Sequence, residues 1–241
     1  MAEANSQVLT ALPVLYSLQN CPYAMRARMA ILLAQITVQL RAVTMKDKPA
    51  EMLKASPKAT VPVLVLEQGG FEDSSERSAN TPSTLVIDES LDIMLWALHR
   101  NDPDNLLYSH KSEALAEMLS VIKENDDEFK PSLEKYKRAK RFHGDDLEEC
   151  RLECEPFVQA LEQRLSQNKF FMGDTPSLLD YALLPFIRQF SRVNKPVFSN
   201  GNYEHLHRWL AFHLQGRLFQ RSMEPYPLWL DKREVCLFGK A

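Results

Sequence analysis

Strand-like and helical runs alternate through the first hundred residues of this chain, and past "NDPDN" (101–105) the strand-like runs stop. That break constrains the fold more than any other feature. Residues 13–18, PVLYSL, are a short apolar run rich in strand formers. Pro22 suits the first position of a helix, where the N–H that proline lacks would have no partner. Met25, Met29, Leu32, Leu33 and Ile36 then recur at helical spacing. Residues 38–44, VQLRAVT, alternate as a strand does, and a short helix runs between Lys48-Pro49 and Ser56-Pro57. Val61 to Leu66 is a strand with a proline near its start, and the polar residues 67–83, with Gly69-Gly70 and a serine cluster, read as a long loop. Thr84 to Asp88 is a strand, and Glu89 to Arg100 a helix with Leu91, Met94, Leu95 and Leu98 inward. The predicted order is β-α-β-α-β-β-α.

Everything beyond the break reads as helix. Leu115, Met118, Leu119 and Ile122 mark one; Leu147, Cys154, Val158, Leu161 and Leu165 mark another. Residues 177–190 are apolar nearly all round, the pattern of a helix buried on every side, and 203–213 give one more. An α/β half followed by an all-helical half predicts two domains, 1–103 and 104–241, with no internal repeat.

Composition closes off several function classes. The net charge of −3 gives a nucleic acid nothing to bind. No apolar run approaches the ~20 residues of a membrane span, and MAEANSQ lacks the basic start and apolar stretch of a secretory signal. Four cysteines, Cys21, Cys150, Cys154 and Cys236, are too sparse for a disulfide scaffold and point to free thiols in a reducing cytoplasm.

One of the four has a special address. In "NCPYAMRARMAILLAQ" (20–35), Cys21 directly precedes the proline that opens a helix. Its sulfur would meet the unpaired N–H groups and positive dipole end of that helix, both of which favour thiolate, the nucleophilic form. Arg26 and Arg28 are candidates to add positive potential. A redox dithiol would be C-x-x-C; here Ala24 stands in place of the second thiol. A monothiol needs an external thiol to resolve it, and glutathione is the abundant cytoplasmic candidate. The competing reading makes Cys21 a small helix-cap residue.

Three stretches together carry a resemblance. "CPYAMRAR" (Cys21 to Arg28) is similar to the C-P-[FY]-A-x-R-x-R of omega-like glutathione S-transferases. "TVPVL" (Thr60 to Leu64) followed by "DES" (Asp88 to Ser90) resembles the glutathione-binding pair of that superfamily. "SLLDYALLPFI" (Ser177 to Ile187) is similar to the buried helix of its second domain. In this order and spacing, the chain from about residue 12 to about residue 222 resembles the cytosolic glutathione S-transferase superfamily, especially its cysteine-type, omega-like members and their bacterial relatives.

The resemblance implies a thioredoxin-like N-terminal domain that binds glutathione and an all-helical second-substrate domain. It implies a cis Val61-Pro62 bond, with the Val61 backbone pairing with the cysteinyl part of glutathione as a sheet edge pairs with a peptide. Glu89 and Ser90, at a helix start, would take the γ-glutamyl group. Lys48 matches a lysine that reaches the glycyl carboxylate, and a plain surface lysine is the alternative. Tyr23 would lie near the thiol, touching ligand or only packing. Catalysis would fall to Cys21, with glutathione as cosubstrate, no metal, and a homodimer in the cytoplasm. The expected chemistry is thiol transfer or reduction: deglutathionylation, dehydroascorbate-type or related reactions on a small apolar or disulfide second substrate. A different class is also open, a catalytically weak interaction protein like the stringent-starvation or chloride-channel relatives.

The chain departs from the tyrosine- and serine-type members, since Tyr16 and Ser17 sit within the first strand while Cys21 holds the helix start. Ser177 and Asp180 form the S-x-x-D of a capping box, which makes Asp180 structural. His143, Cys150 and Cys154 fall where one helix face would carry them, a weak metal pattern that lacks a fourth ligand. The aromatic tail "MEPYPLWLDKREVCLFGKA" is expected to pack down and help wall the second-substrate pocket.

Overall fold

The computed structural model describes residues 12–67 and 84–239. The loop expected over 67–83 thus lies almost wholly outside the described residues, as does MAEANSQ. The chain divides into two compact units, Met1–Asn101 with Arg221–Ala241, and Asp102–Gln220.

The first unit follows the predicted order: β1 (Val14–Ser17), α1 (Pro22–Leu33), β2 (Val38–Ala42), α2 (Ala50–Ala55), β3 (Val63–Glu67), β4 (Thr84–Ile87) and α3 (Ser90–Arg100). The sheet runs β4-β3-β1-β2-β5, where β5 is Cys236–Phe238. β1 lies parallel to β2, with Leu15 opposite Leu40, and antiparallel to β3, with Tyr16 opposite Val63. The central strand β1 and the neighbouring α1 are almost wholly buried, as their apolar runs require. On one side of the sheet Tyr16, Val43, Met52, Val61 and Val63 form a core cluster, and Cys21 packs on its margin.

The strand β5 has no local sequence signal. It is three residues long and exists by pairing antiparallel with β2, Cys236 opposite Leu40. Gly239 ends it at φ +121°, where a Cβ would collide with the Ile36 carbonyl. The division drawn from sequence places everything from 104 onward in the helical domain; the segment from Arg221 instead belongs to the first unit. The physical reason is the otherwise open edge of β2, which β5 covers.

The second unit contains α4 (Ala114–Glu124), a π-helical turn (Asn125–Phe129), α5 (Lys130–Phe142), α6 (Leu147–Gln167), α7 (Leu178–Val193), α8 (Lys195–Asn200) and α9 (Glu204–Gln215). The helix α10 (Arg217–Ser222) leads out of it, and α11 (Trp229–Lys232) lies in the returning tail. The apolar helix expected over 177–190 is α7, capped reciprocally by Ser177 and Asp180. Asp180 does more than cap. Fully buried, it accepts from Phe171 N at 3.2 Å, Trp209 Nε1 at 2.8 Å, and both N and Oγ of Ser177. His143 ends α5 in the left-handed region at φ 54°, so it does not share a helix with Cys150 and Cys154 on α6. Among the described residues no helix is long and apolar enough to cross a membrane.

Candidate functional site

Cys21 is the N-cap of α1, in extended backbone at φ −74° and ψ 125°, with Pro22 next to it in the first turn. Its side chain makes no capping hydrogen bond. The thiol turns instead toward the peptide before Pro62, 3.8 Å from the Val61 carbonyl oxygen. The Val61-Pro62 bond is cis, as expected. Cys21 is partly exposed, Val61 is buried, and both contribute to the cluster around Met52. The structure thus brings Cys21 and the Val61-Pro62 turn together.

Two hydroxyls in β1 accept from arginines. Tyr16 accepts from Arg41 Nη1 at 2.8 Å, and burial pushes its phenol up against the opposing pull of Arg41. Ser17 Oγ accepts from Arg28 Nη1 at 2.6 Å.

Arg28 is the organiser of the turn that precedes Cys21. It is buried, and its guanidinium also donates to the carbonyls of Leu18 at 3.1 Å, Gln19 at 2.6 Å and Ser222 at 2.6 Å. Burial pulls it down to about 10, opposed by the negative charge that Cys21 and Tyr226 contribute when ionised. A positive charge therefore sits within electrostatic reach of the thiol, held there by carbonyls whose dipoles satisfy its donors. The sequence marks Arg28 only as a candidate for added potential; its grip on the tail has no sequence signal.

Glu89 is the N-cap of α3 and Ser90 its first residue. Ser90 is buried at the helix start and Glu89 is exposed. Lys58, unmarked in the sequence, joins this group. Its Nζ lies 2.5 Å from Glu89 Oε1 and 3.2 Å from Asp88 Oδ1, while Ser56 Oγ donates to Asp88 Oδ2 at 2.6 Å. The Ser56 and Lys58 hydrogen bonds hold the Asp88 carboxyl below the usual carboxylate range despite the opposing effect of partial burial. Lys48 is half-buried in the loop that leads into α2, and among the described residues it forms no ion pair. Tyr23 is half-buried, its ring centroid 5.7 Å from the Arg26 guanidinium.

Two of the other thiols, Cys150 and Cys154, are buried. Burial pushes Cys150 up, helped by Asp146 at 3.6 Å, and burial takes Cys154 to about 12. In the first unit a cavity of about 170 Å3 opens beside the turn before Cys21, lined in part by Leu18, Asn20, Arg28, Val43, Tyr226 and Leu228. The tail does pack down, and it walls this cavity within the first unit.

Two family models match the chain. Residues 15–105 match "Glutathione S-transferase, N-terminal domain", and residues 144–212 match "Glutathione S-transferase, C-terminal domain". Among curated proteins, glutathione S-transferase omega-1 of Mus musculus is 25% identical over 175 residues, 72% of this chain and 65% of that protein. The chain thus spans about two thirds of that relative's length. A glutathione transferase family member from Pseudomonas fluorescens, solved with two glutathione bound, superposes with a TM-score of 0.72 at 19% identity, covering 89% of this chain and 93% of its own. A glutathione transferase from Pseudomonas putida, solved with one glutathione disulfide per subunit, gives a TM-score of 0.73 at 17% identity, with coverages of 90% and 93%.

Proposed function

The chain belongs to the glutathione S-transferase superfamily, and we propose that it acts as a cysteine-type member, an enzyme that uses glutathione and the single thiol of Cys21 for thiol transfer and reduction. The observation that carries this reading is the Cys21 thiol at the start of α1, turned to the carbonyl before cis-Pro62. Ala24, one turn on, removes the second thiol of a C-x-x-C disulfide at this site.

In this reading glutathione lies along the cis-proline turn. Its cysteinyl backbone pairs with the Val61 backbone as an added strand would, taking over the carbonyl now facing the thiol. Its γ-glutamyl carboxylate meets the Ser90 hydroxyl and the free N–H groups of α3, and its ammonium meets Glu89. Lys48 receives the glycyl carboxylate, and Tyr23 flanks the thiol. The helical domain is assigned the second substrate, a small apolar molecule or a disulfide, and the protein is assigned to the cytoplasm as a homodimer.

The reaction balances without a further redox partner. The Cys21 thiolate attacks the glutathionyl sulfur of a mixed disulfide, a Cys21–glutathione disulfide forms, and the substrate leaves as a thiolate that takes a proton from water. A second glutathione thiolate then attacks the glutathione sulfur of the adduct. Oxidised glutathione departs, and Cys21 regains its thiolate. Dehydroascorbate-type reductions would instead consume two reduced glutathione molecules, whose two electrons and two protons pass to the substrate as one oxidised glutathione is released.

Intact mass after exposure to oxidised glutathione tests the reading. One glutathione adduct, absent in Cys21→Ser and removed by excess reduced glutathione, is the expected result. Absence of an adduct, together with failure to bind a glutathione column, would move the interaction-protein reading ahead.

A further inference from the structure

We propose that Glu51 is a positioning residue for Lys48, and that the C-terminal segment, acting through Trp229 and Arg233, belongs to the machinery that receives the glycyl carboxylate of glutathione. This rests on the proposed role of Lys48 as the partner of that carboxylate.

Lys48 lies in the loop between β2 and α2, next to Pro49, the N-cap of α2. The early part of that loop is pinned by one turn, in which Asp47 N donates to Thr44 Oγ1 at 3.1 Å. The residues ahead of Lys48, namely Met45, Lys46 and Asp47, are exposed. The helix beyond Lys48 is fixed far more firmly. Met52 is fully buried in the cluster with Tyr16, Val43 and Val61, which holds α2 from the inside. Glu51 holds it from the outside.

Glu51 lies in the first turn of α2 and is gripped by residues 178 and 182 positions further along the chain. Its Oε1 accepts from Trp229 Nε1 at 2.6 Å and from Arg233 Nη1, and Arg41 Nη1 stands 4.0 Å away. Arg41 lies between two rings, 4.1 Å from the Trp229 centroid and 5.5 Å from that of Tyr16. Arg233 covers Trp229 at 5.3 Å. The tail that supplies these groups is itself anchored to the sheet. Leu228 bridges Ala42 in parallel register, and β5 pairs with β2. The grip on Glu51 is therefore a grip by the sheet.

Charge favours the same conclusion. Two guanidinium groups meet one carboxylate, so the cluster keeps a net positive charge three residues from a lysine that forms no ion pair among the described residues. The guanidinium groups thus offset the Glu51 carboxylate, so that an arriving carboxylate meets Lys48 without repulsion from Glu51. A flexible lysine loses rotamer freedom when it binds, and a backbone fixed in advance reduces what must be ordered at that moment.

The test compares two ligands, glutathione and its glycyl monoethyl ester, by titration calorimetry. The wild-type chain should prefer the free acid, and Lys48→Met should erase the preference. Arg233→Gln removes one exposed donor and is the variant least able to disturb folding; Trp229→Phe removes the indole donor and keeps the packing. Each should weaken glutathione binding about 3- to 10-fold, in line with loss of one charge-assisted contact, and leave ester binding unchanged. Combined with Lys48→Met, neither should cost anything more. Equal weakening toward both ligands, or a loss that adds to that of Lys48→Met, would overturn the positioning role. A wild-type chain that binds both ligands equally would overturn it too while leaving glutathione binding intact. A wild-type chain that binds neither would sink the proposed function itself, and the inference with it.

Discussion

Lys58 and Glu89 form an ion pair, Nζ to Oε1 at 2.5 Å, at the helix start assigned to the γ-glutamyl group. Glu89 would have to share its carboxylate between this lysine and the ammonium of an incoming ligand. Lys58→Ala should therefore strengthen glutathione binding about 2- to 3-fold at low salt, since an exposed pair contributes little and is screened. The gain should vanish at high ionic strength. Titrations at two salt concentrations check it, and weaker binding in the variant would assign Lys58 a direct hold on the ligand.

Cys21 should be the site of thiol chemistry. Iodoacetamide at neutral pH should label it at least about tenfold faster than Cys154, whose thiol burial pushes up to about 12. After oxidised glutathione, peptide mapping should find the adduct on Cys21. Cys21→Ser should abolish thiol transfer and keep glutathione affinity within a few-fold. An adduct on Cys150, Cys154 or Cys236 with Cys21 free would contradict the monothiol mechanism.

Asp180→Ala should destabilise the protein by about 3–5 kcal/mol, well beyond the ~1 kcal/mol of a lost cap. The carboxylate serves Phe171, Ser177 and Trp209 from full burial, and its removal leaves those donors without an acceptor. Urea unfolding of Asp180→Ala and Asp180→Asn gives the measurement, with Asn expected in between. A loss near 1 kcal/mol in the alanine variant would reduce Asp180 to a cap.

His213 should make stability fall in acid. It is buried among Phe170, Tyr181, Trp209 and Phe212, and its Nε2 has no hydrogen-bond partner among the described residues. Burial lowers it to about 4, against an ordinary 6.5 in the unfolded chain. Between those values the unfolded state binds the extra proton, so stability is complete above about 6.5 and drains away as the pH falls toward 4. At pH 4.5 the loss should be about 2–3 kcal/mol. Denaturant midpoints at about pH 7 and about pH 4.5 should show a shallower decline for His213→Phe than for the wild type; identical declines would acquit His213.

The elements that can be read from sequence are those whose reasons are local. The apolar runs of β1 and β3, the proline opening α1, the Ser177–Asp180 cap and the apolar circumference of α7 each declare themselves within a few residues. The cis bond at Val61-Pro62 is legible only through resemblance. Contacts made by partners far apart in the chain leave no trace. Lys58 looks like any surface lysine until Asp88 and Glu89 are folded beside it. Arg28 reaches Ser222, and Glu51 reaches Trp229, across separations no periodicity spans. β5 is a strand because β2 offers an edge, so its three residues need no strand propensity of their own.

The sheet order has a consequence for biosynthesis. β1 stands at the centre of the sheet and β5 closes its margin, so the sheet draws on both extremes of the described chain while the helical unit occupies the interval between them. A ribosome releases β1 through β4 early, but β2 meets its last partner only when Cys236–Phe238 have emerged. The helical unit can finish while the sheet still waits with an open edge. Loss of β5 alone would therefore leave the β2 edge unpaired, with the aggregation hazard of a nascent chain.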